Sequence, residues 1–307
     1  MARLLLFVIL ISLQFSGNSQ SSYHIPDSVK RILFLGNSIT YSGQYVAYIE
    51  AYLKLKHPGR HYEFMNVGLP SETVSGLSED GHADGKFPRP DLHERLGRVL
   101  DQTRPDLVFA CYGMNDGIYL PFSDERFSKY KDGIYWLHNE VTKTGAAIVH
   151  VTPPLFDERK GEAYSNVLDI YSAWLISCRY TNSWNVADLH WPMKKYLEDK
   201  RLADTSFVLA KDGVHPGDLG HWLMAKAILL YLGEKDVQNA PDVQSAVAFH
   251  PNGEKILSLV KERSALMKDA WLTSTGHKRP GMKTGLPLPE AKRRADEIEN
   301  QIKLLLN

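Results

Sequence analysis

Short apolar runs, separated by stretches of helical periodicity, constrain this chain more than any other feature. They occupy residues 32–35, 62–67, 107–112, 146–152 and 185–189 and are rich in Ile, Val, Leu and Phe. An unbroken apolar run of this length reads as a strand buried on both faces, unlike the alternating pattern of a half-exposed one. Between the runs, apolar residues recur at three- and four-residue spacing. Val46, Ile49 and Leu53 form one stripe, and Leu92, Leu96 and Val99 another. Phe127, Tyr130, Ile134, Leu137 and Val141 follow, then Val167, Ile170, Tyr171 and Trp174, and last Leu219, Leu223, Ala227 and Leu230. Breakers at His57-Pro58-Gly59, Pro105 and Gly145 end three of these stripes. Such alternation predicts an α/β fold with right-handed crossovers and a parallel sheet covered on both faces. Ligands of such sheets bind at the carboxyl ends of the strands.

Past about residue 236 the rhythm changes. Ile256, Leu259, Val260 and Leu266 predict one helix, and Ala291, Ala295, Ile298, Ile302 and Leu305 another. Between them lies Gly276-His277-Lys278-Arg279-Pro280-Gly281, a basic loop rich in breakers. We therefore expect a domain over 20–235 and a helical extension over 236–307 packed on its core. At the other end, Arg3, the apolar run 4–13 and the small residues of Ser16-Gly17-Asn18-Ser19 predict a signal peptide over 1–19. The alternative is a buried N-terminal helix or strand. The run is shorter than the roughly 20 residues that cross a bilayer, so the mature chain is expected to be secreted or periplasmic without a membrane span. Lys+Arg and Asp+Glu both number 36, which offers no reason to expect a nucleic-acid partner. The two cysteines, Cys111 and Cys178, lie in apolar or helical surroundings and read as buried thiols.

Chemistry concentrates where strands end. In Ile32-Leu33-Phe34-Leu35-Gly36-Asn37-Ser38-Ile39-Thr40 a buried strand reaches a glycine, and a serine follows just before a helix. That position puts the Ser38 hydroxyl in the ligand crevice, although a serine there is commonly only a helix cap. Thr40 stands where the nucleophile elbow of α/β-hydrolases has its second glycine, so this is not that motif. In Lys211-Asp212-Gly213-Val214-His215-Pro216, Asp212 can hold the His215 imidazole and fix its tautomer, or simply cap a turn. In Gly113-Met114-Asn115-Asp116, an amide at a strand end can donate to a developing oxyanion, or form a turn. In Asn66-Val67-Gly68-Leu69-Pro70, Gly68 offers a backbone N–H at another strand end.

Together, in order and spacing, these four segments resemble the blocks of the SGNH (GDSL-like) hydrolase superfamily over roughly residues 30–235. Gly36-Asn37-Ser38 resembles its Gly-Asp-Ser block with Asn for the usual Asp, and Gly68 stands at the glycine of the second block. Gly113-Met114-Asn115-Asp116 matches Gly-x-Asn-Asp, and Asp212-Gly213-Val214-His215 matches Asp-x-x-His. The resemblance implies a three-layer α/β/α, flavodoxin-like fold with a central, mostly parallel five-stranded sheet. It also implies a serine esterase that uses no metal or other cofactor. Ser38 would be the nucleophile, His215 the base and Asp212 its orienter. The N–H groups of Ser38 and Gly68, with the Asn115 side chain, would hold the oxyanion.

Other residues could compete with these for a role. His82, Asp84 and His93 surround a loop, but their spacing fits no named zinc pattern. Tyr41, Tyr119, Trp184 and Trp191 fall near strand ends or in loops, where an aromatic ring is either core or a stacking surface for a sugar. No long apolar lid segment shelters an acyl chain, which favours an O-acetylated carbohydrate, or another small ester, over a lipid. Tyr119 and Trp191 are the expected sugar contacts. His277 and Arg279 are expected to meet an acidic group if the tail folds over the crevice. Three alternatives remain: a lipase or lysophospholipase-type esterase, a glycosidase using Asp116 or Asp212, and a non-catalytic glycan-binding module.

Overall fold

The computed structural model describes residues 22–306, so the expected signal peptide lies outside the described residues. The strands are β1 (Arg31–Gly36), β2 (Glu63–Asn66), β3 (Leu107–Cys111), β4 (Ala147–Val151) and β5 (Asn185–Ala187). They form one five-stranded sheet in the order β2-β1-β3-β4-β5, and every neighbouring pair is parallel. This is the flavodoxin-like order. The helices are α1 (Ser38–Ser42), α2 (Gln44–Lys56), α3 (Leu96–Thr103), α4 (Asp124–Lys143), α5 (Glu162–Thr181), α6 (His190–Ala203), α7 (Asp218–Tyr231), α8 (Val243–Val247), α9 (Gly253–Thr275) and α10 (Leu288–Leu306).

The three layers follow from strand register. Phe34 pairs with Phe109, and their rings stack at 5.0 Å on one face, where Tyr45 of α2 meets Phe34 edge-on at 6.0 Å. His150 pairs with Ala110, one position on, and so points to the opposite face. There it stacks on His138 of α4 at 5.3 Å, which puts α4 across the sheet from α2. Tyr130 of α4 stacks on Tyr171 of α5 at 4.4 Å, joining those helices in one layer. On the other side α2 packs against α7 and α9, and is buried nearly all round, including Tyr45, Tyr48 and Tyr52.

From β1 the chain steps outward to β2, then crosses back to β3 on the other side of β1. The carboxyl ends of β1 and β3 thus form the switch-point crevice.

The C-terminal helices have no core of their own. Trp271 and Leu272 of α9 and Ile298 and Ile302 of α10 belong to the same apolar cluster as the sheet. Arg263 of α9 pairs with Glu50 of α2 and Glu299 of α10, and Lys54 bonds Glu299 at 2.7 Å. Helix α9 also lies against the edge strand β2, where unpaired backbone groups would otherwise face solvent.

The last strand is shorter than its apolar run. The last strand ends at Ala187 rather than 189, because the Leu189 and His190 N–H groups both donate to Thr152 Oγ1 and start α6. Helix α6 itself is not legible as a stripe. Only His190, Met193 and Leu197 are buried on it, while its other faces are largely charged. Both cysteines are free and buried, and burial pushes the Cys111 thiol up to about 12.

His150 gives a pH test of this core. Burial first, and then the neighbouring His138, lower its pKa from 6.5 to about 3. A folded value below the ordinary one means that stability is full above about pH 6.5 and is lost as pH falls towards 3. The urea midpoint should decline across that window, and His150→Phe should make the decline shallower. Equal slopes for the two proteins would refute this account.

Candidate active site

The site starts where β1 stops. A Cβ at Gly36 would lie 2.2 Å from Thr40 Oγ1 and 2.9 Å from the Cys111 carbonyl oxygen, so only glycine lets the chain turn here between α1 and β3. Asn37 then caps α1: its Oδ1 accepts the Ile39 N–H at 3.1 Å. The cap is therefore Asn37, not Ser38, and the serine hydroxyl is left for another partner. That partner is His215, with Ser38 Oγ 2.8 Å from Nε2.

His215 is held from behind by Asp212. Asp212 Oδ2 lies 2.7 Å from His215 Nδ1, and Oδ1 accepts the Val214 and His215 N–H groups at 2.9 and 2.8 Å. The turn needs Gly213, whose φ is 87° and whose Cβ would meet Lys160 Cγ at 2.7 Å. The Gly213 carbonyl accepts the Asp157 N–H at 2.9 Å, and Arg201 in turn grips Asp157 at 2.6 Å. Burial raises the Asp212 pKa, but the hydrogen bonds from the His215 ring and from two backbone N–H groups outweigh it and bring it to about 2. At neutral pH the carboxylate is ionised and accepts Nδ1–H, which leaves Nε2 free to accept the serine proton. Asp212 and His215 are 54% and 51% exposed, so the pair is open to a ligand.

The oxyanion candidates sit on the neighbouring strand ends. Gly68 presses against α1, and a Cβ there would lie 2.4 Å from the Tyr41 nitrogen. Its N–H donates to Asn66 Oδ1 at 2.9 Å, and Asn66 Nδ2 donates to the Thr40 carbonyl at 2.7 Å. Asn115 is buried beyond β3. Nδ2 gives one proton to the Glu72 carbonyl at 3.1 Å, and Oδ1 accepts the Tyr119 hydroxyl at 3.2 Å. An amide has two N–H protons, so one remains to donate.

Beneath this lies a layer of buried polar residues that pattern reading missed. Glu72 takes a bidentate grip from Arg95, at 2.6 and 2.7 Å, and the Tyr112 hydroxyl at 2.7 Å, with both charged side chains fully buried. The same Glu72 supplies the carbonyl that Asn115 bonds. Asp116 is wholly buried, and its carboxylate accepts the N–H groups of Val74, Ser75 and Gly113. It ties the loop after β2 to the loop after β3. The Asn115-Asp116 pair was visible in sequence; Glu72 and Arg95 carry no local signal.

The remaining expected contacts divide. Tyr119 lies at the site, bonded to Asn115 and stacked on Tyr164 at 4.7 Å. Trp191 is 38% exposed on α6 and meets Asp188, His190 and Lys194, none of which contacts the Ser38–His215 pair. Trp184 stacks between His138 and His150 on the α4 face. His277 and Arg279 belong to the loop between α9 and α10, and the Arg279 guanidinium sits 5.3 Å from the Phe87 ring. His82 bonds Glu79 at 3.3 Å, whereas His93 bonds Asp91 at 2.6 Å and stacks on Trp136. Among the described residues no group of three or more His, Cys, Asp or Glu side chains is placed to hold a metal ion.

The chain is similar to a known family and to several characterised proteins. Residues 34–223 match the model of the GDSL-like lipase/acylhydrolase family. An acetylxylan esterase from Geobacillus stearothermophilus is 24% identical over 227 residues, which are 67% of this chain and 95% of that protein. A crystal structure of a catalytic mutant of an acetylxylan esterase from that organism superposes with TM-score 0.53 at 22% identity, covering 66% of this chain and 94% of the other. A gut microbial diltiazem-metabolizing enzyme gives TM-score 0.54 at 20% identity over 70% of this chain. The present chain spans only 49% of that enzyme.

The buried Glu72–Arg95 pair predicts a large stability effect. Arg95→Met leaves the Glu72 carboxylate buried without its cation and should cost about 3–5 kcal/mol in urea unfolding. A loss below about 1 kcal/mol, the ceiling for an exposed pair, would contradict this.

Proposed function

Since the chain belongs to the GDSL-like lipase/acylhydrolase family, we propose that it is a serine carboxylic ester hydrolase acting through Ser38, His215 and Asp212. The observation that carries this reading is the continuous link Asp212–His215–Ser38, with contacts of 2.7 and 2.8 Å, at the switch-point crevice. His215 Nε2 takes the Ser38 proton as Oγ attacks the ester carbonyl, while Asp212 stabilises the imidazolium. The oxyanion is met by the Ser38 N–H and by the free N–H of Asn115. The Gly68 N–H joins them by sharing its proton with Asn66 Oδ1 or leaving it. The imidazolium then protonates the departing alcohol. Water, deprotonated by the same ring, attacks the acyl-serine and releases the acid and free Ser38.

The substrate we propose is an O-acetylated carbohydrate. The similarity to an acetylxylan esterase along 95% of that protein's length supports it, as does the open exposure of the Asp212–His215 pair. The glycosidase alternative loses its strongest carboxylate, because Asp116 is spent on three backbone N–H groups away from solvent. Asp212 is committed to His215. A lipase-type activity would appear as a rate that climbs with acyl-chain length. Export by a leader over residues 1–19 belongs to the same reading, and N-terminal sequencing of the exported protein tests it.

Release of acetate from p-nitrophenyl acetate and from acetylated xylo-oligosaccharides tests the mechanism. Ser38→Ala and Asp212→Asn should each lower kcat on the order of 10⁴-fold. Undiminished turnover in the Ser38 variant would overturn the assignment. Asn115→Ala should lower kcat by about 10²–10³-fold with little change in KM, the pattern of a contact made in the transition state.

A further inference from the structure

The loop between α9 and α10 carries Arg279 against the Phe87 ring. The end of α9 already flanks α1: the Tyr41 hydroxyl donates to Asp269 Oδ1 at 3.2 Å, and Lys268 sits 3.8 Å from the Tyr41 ring centre. Tyr41 is three residues beyond Ser38, so the two neighbour each other along α1. Arg279 is close enough to Tyr41 that each perturbs the other's titration.

From Arg279 a continuous wall runs to the oxyanion side of the site. Its guanidinium faces Phe87 at 5.3 Å, Phe87 meets the His82 ring at 5.5 Å, and His82 bonds Glu79. Glu79 is gripped by Arg89 with two contacts of 2.6 Å, and the Arg89 guanidinium lies 5.2 Å from the Tyr119 ring. Tyr119 then reaches Asn115.

Charge along this wall is unequal. The Arg89 cation is cancelled by Glu79, and Asp269 is occupied by Tyr41 and Lys283. Arg279 has no such partner among the described residues: its hydrogen bonds go only to the Pro280 carbonyl and to Met282 sulfur. Its Nε is buried with no acceptor, and His82 Nε2 and His277 Nδ1 nearby are also unpartnered. Burial pulls the Arg279 guanidinium below its usual range, with the Tyr41 side opposing that pull. Burial also lowers His82 and His277, which leaves both rings neutral at pH 7 with a single N–H each; that of His82 lies on Nδ1 and goes to Glu79. The unpartnered Nε–H of a half-buried guanidinium that has no carboxylate is satisfied when an anionic oxygen arrives.

Building on the esterase reading, we infer that Arg279, flanked by His82 and His277, forms a subsite for an anionic group on the substrate, a carboxylate or a sulfate, beside the ester held at Ser38. The preferred substrate class is then an acetylated acidic glycan. The planar guanidinium suits such an oxyanion bidentately.

Calorimetric binding to the full-length Ser38→Ala protein tests this without needing turnover. Three de-acetylated xylo-oligosaccharides of equal length serve as probes: neutral, bearing glucuronic acid, and sulfated. The glucuronic acid or the sulfated probe should bind about tenfold tighter than the neutral one, and whichever does identifies the anion. Adding Arg279→Ala should erase the preference, and Arg279→Lys should keep part of it; added salt should weaken it in the parent protein. Equal affinity for all three probes, or a preference that survives Arg279→Ala, overturns the subsite. Parallel assays of unsubstituted enzyme on the acetylated probes separate the two readings. Preferential binding without hydrolysis would count against the esterase and leave the subsite standing; hydrolysis without preference would do the reverse.

Discussion

Everything at the crevice depends on the close approach made possible at the end of β1. Gly36 lets the backbone turn directly into α1 while Cys111 of β3 stays within contact distance. Gly68 lets the loop after β2 press on the other side of the same helix. A side chain at either position would drive α1 off the sheet edge and carry Ser38 with it. Because β1 is an interior strand, largely buried and paired on both edges, this turn has a rigid base. Small shifts at a reacting centre are costly, so a hydroxyl that is to react gains from standing at the end of a strand paired on both edges.

His215 reaches that hydroxyl from far along the chain, 177 residues on, and its placement is secured differently. Asp212 makes a local turn around Gly213, gathering two backbone N–H groups and the imidazole on one carboxylate. That carboxylate is at once a turn former and a ring holder, so loss of its charge would loosen both. The buried side of the site is stiffened by Glu72, Arg95, Tyr112 and Asp116, which lock the loops after β2 and β3 together. The outer side is built by the tail, whose α9 packs on α2 and β2 and whose following loop delivers Arg279. The crevice thus has a rigid, polar-locked floor, and the tail that packs beside it lies beyond the family match at residues 34–223.

Sequence by itself determined the elements and the order in which they meet. Strands buried on both faces need unbroken apolar runs, and helices on a sheet need apolar stripes, so both leave a local trace. The same holds for Ser38, Gly68, Asn115, Asp212 and His215, because a turn at a strand end demands small or polar residues at short, fixed spacing. Where burial leaves a weak trace, the reading failed: α6 shows only a narrow apolar stripe, and β5 ends early because a distant hydroxyl, Thr152, takes over its N–H groups.

Tertiary structure alone decided the rest, since partnership between residues far apart in the chain has no local signature. Only the fold reveals that Asn37 relieves Ser38 of the capping role, that Asp116 is sealed among backbone donors, and that Glu72 finds Arg95. It also separates Tyr119, which touches Asn115, from Trp191, which does not, although both looked alike as aromatics near strand ends. Arg279 is the sharpest case. In sequence it is one cation in a basic loop. In the fold it is a half-buried charge packed on the Phe87 ring, with no carboxylate partner among the described residues.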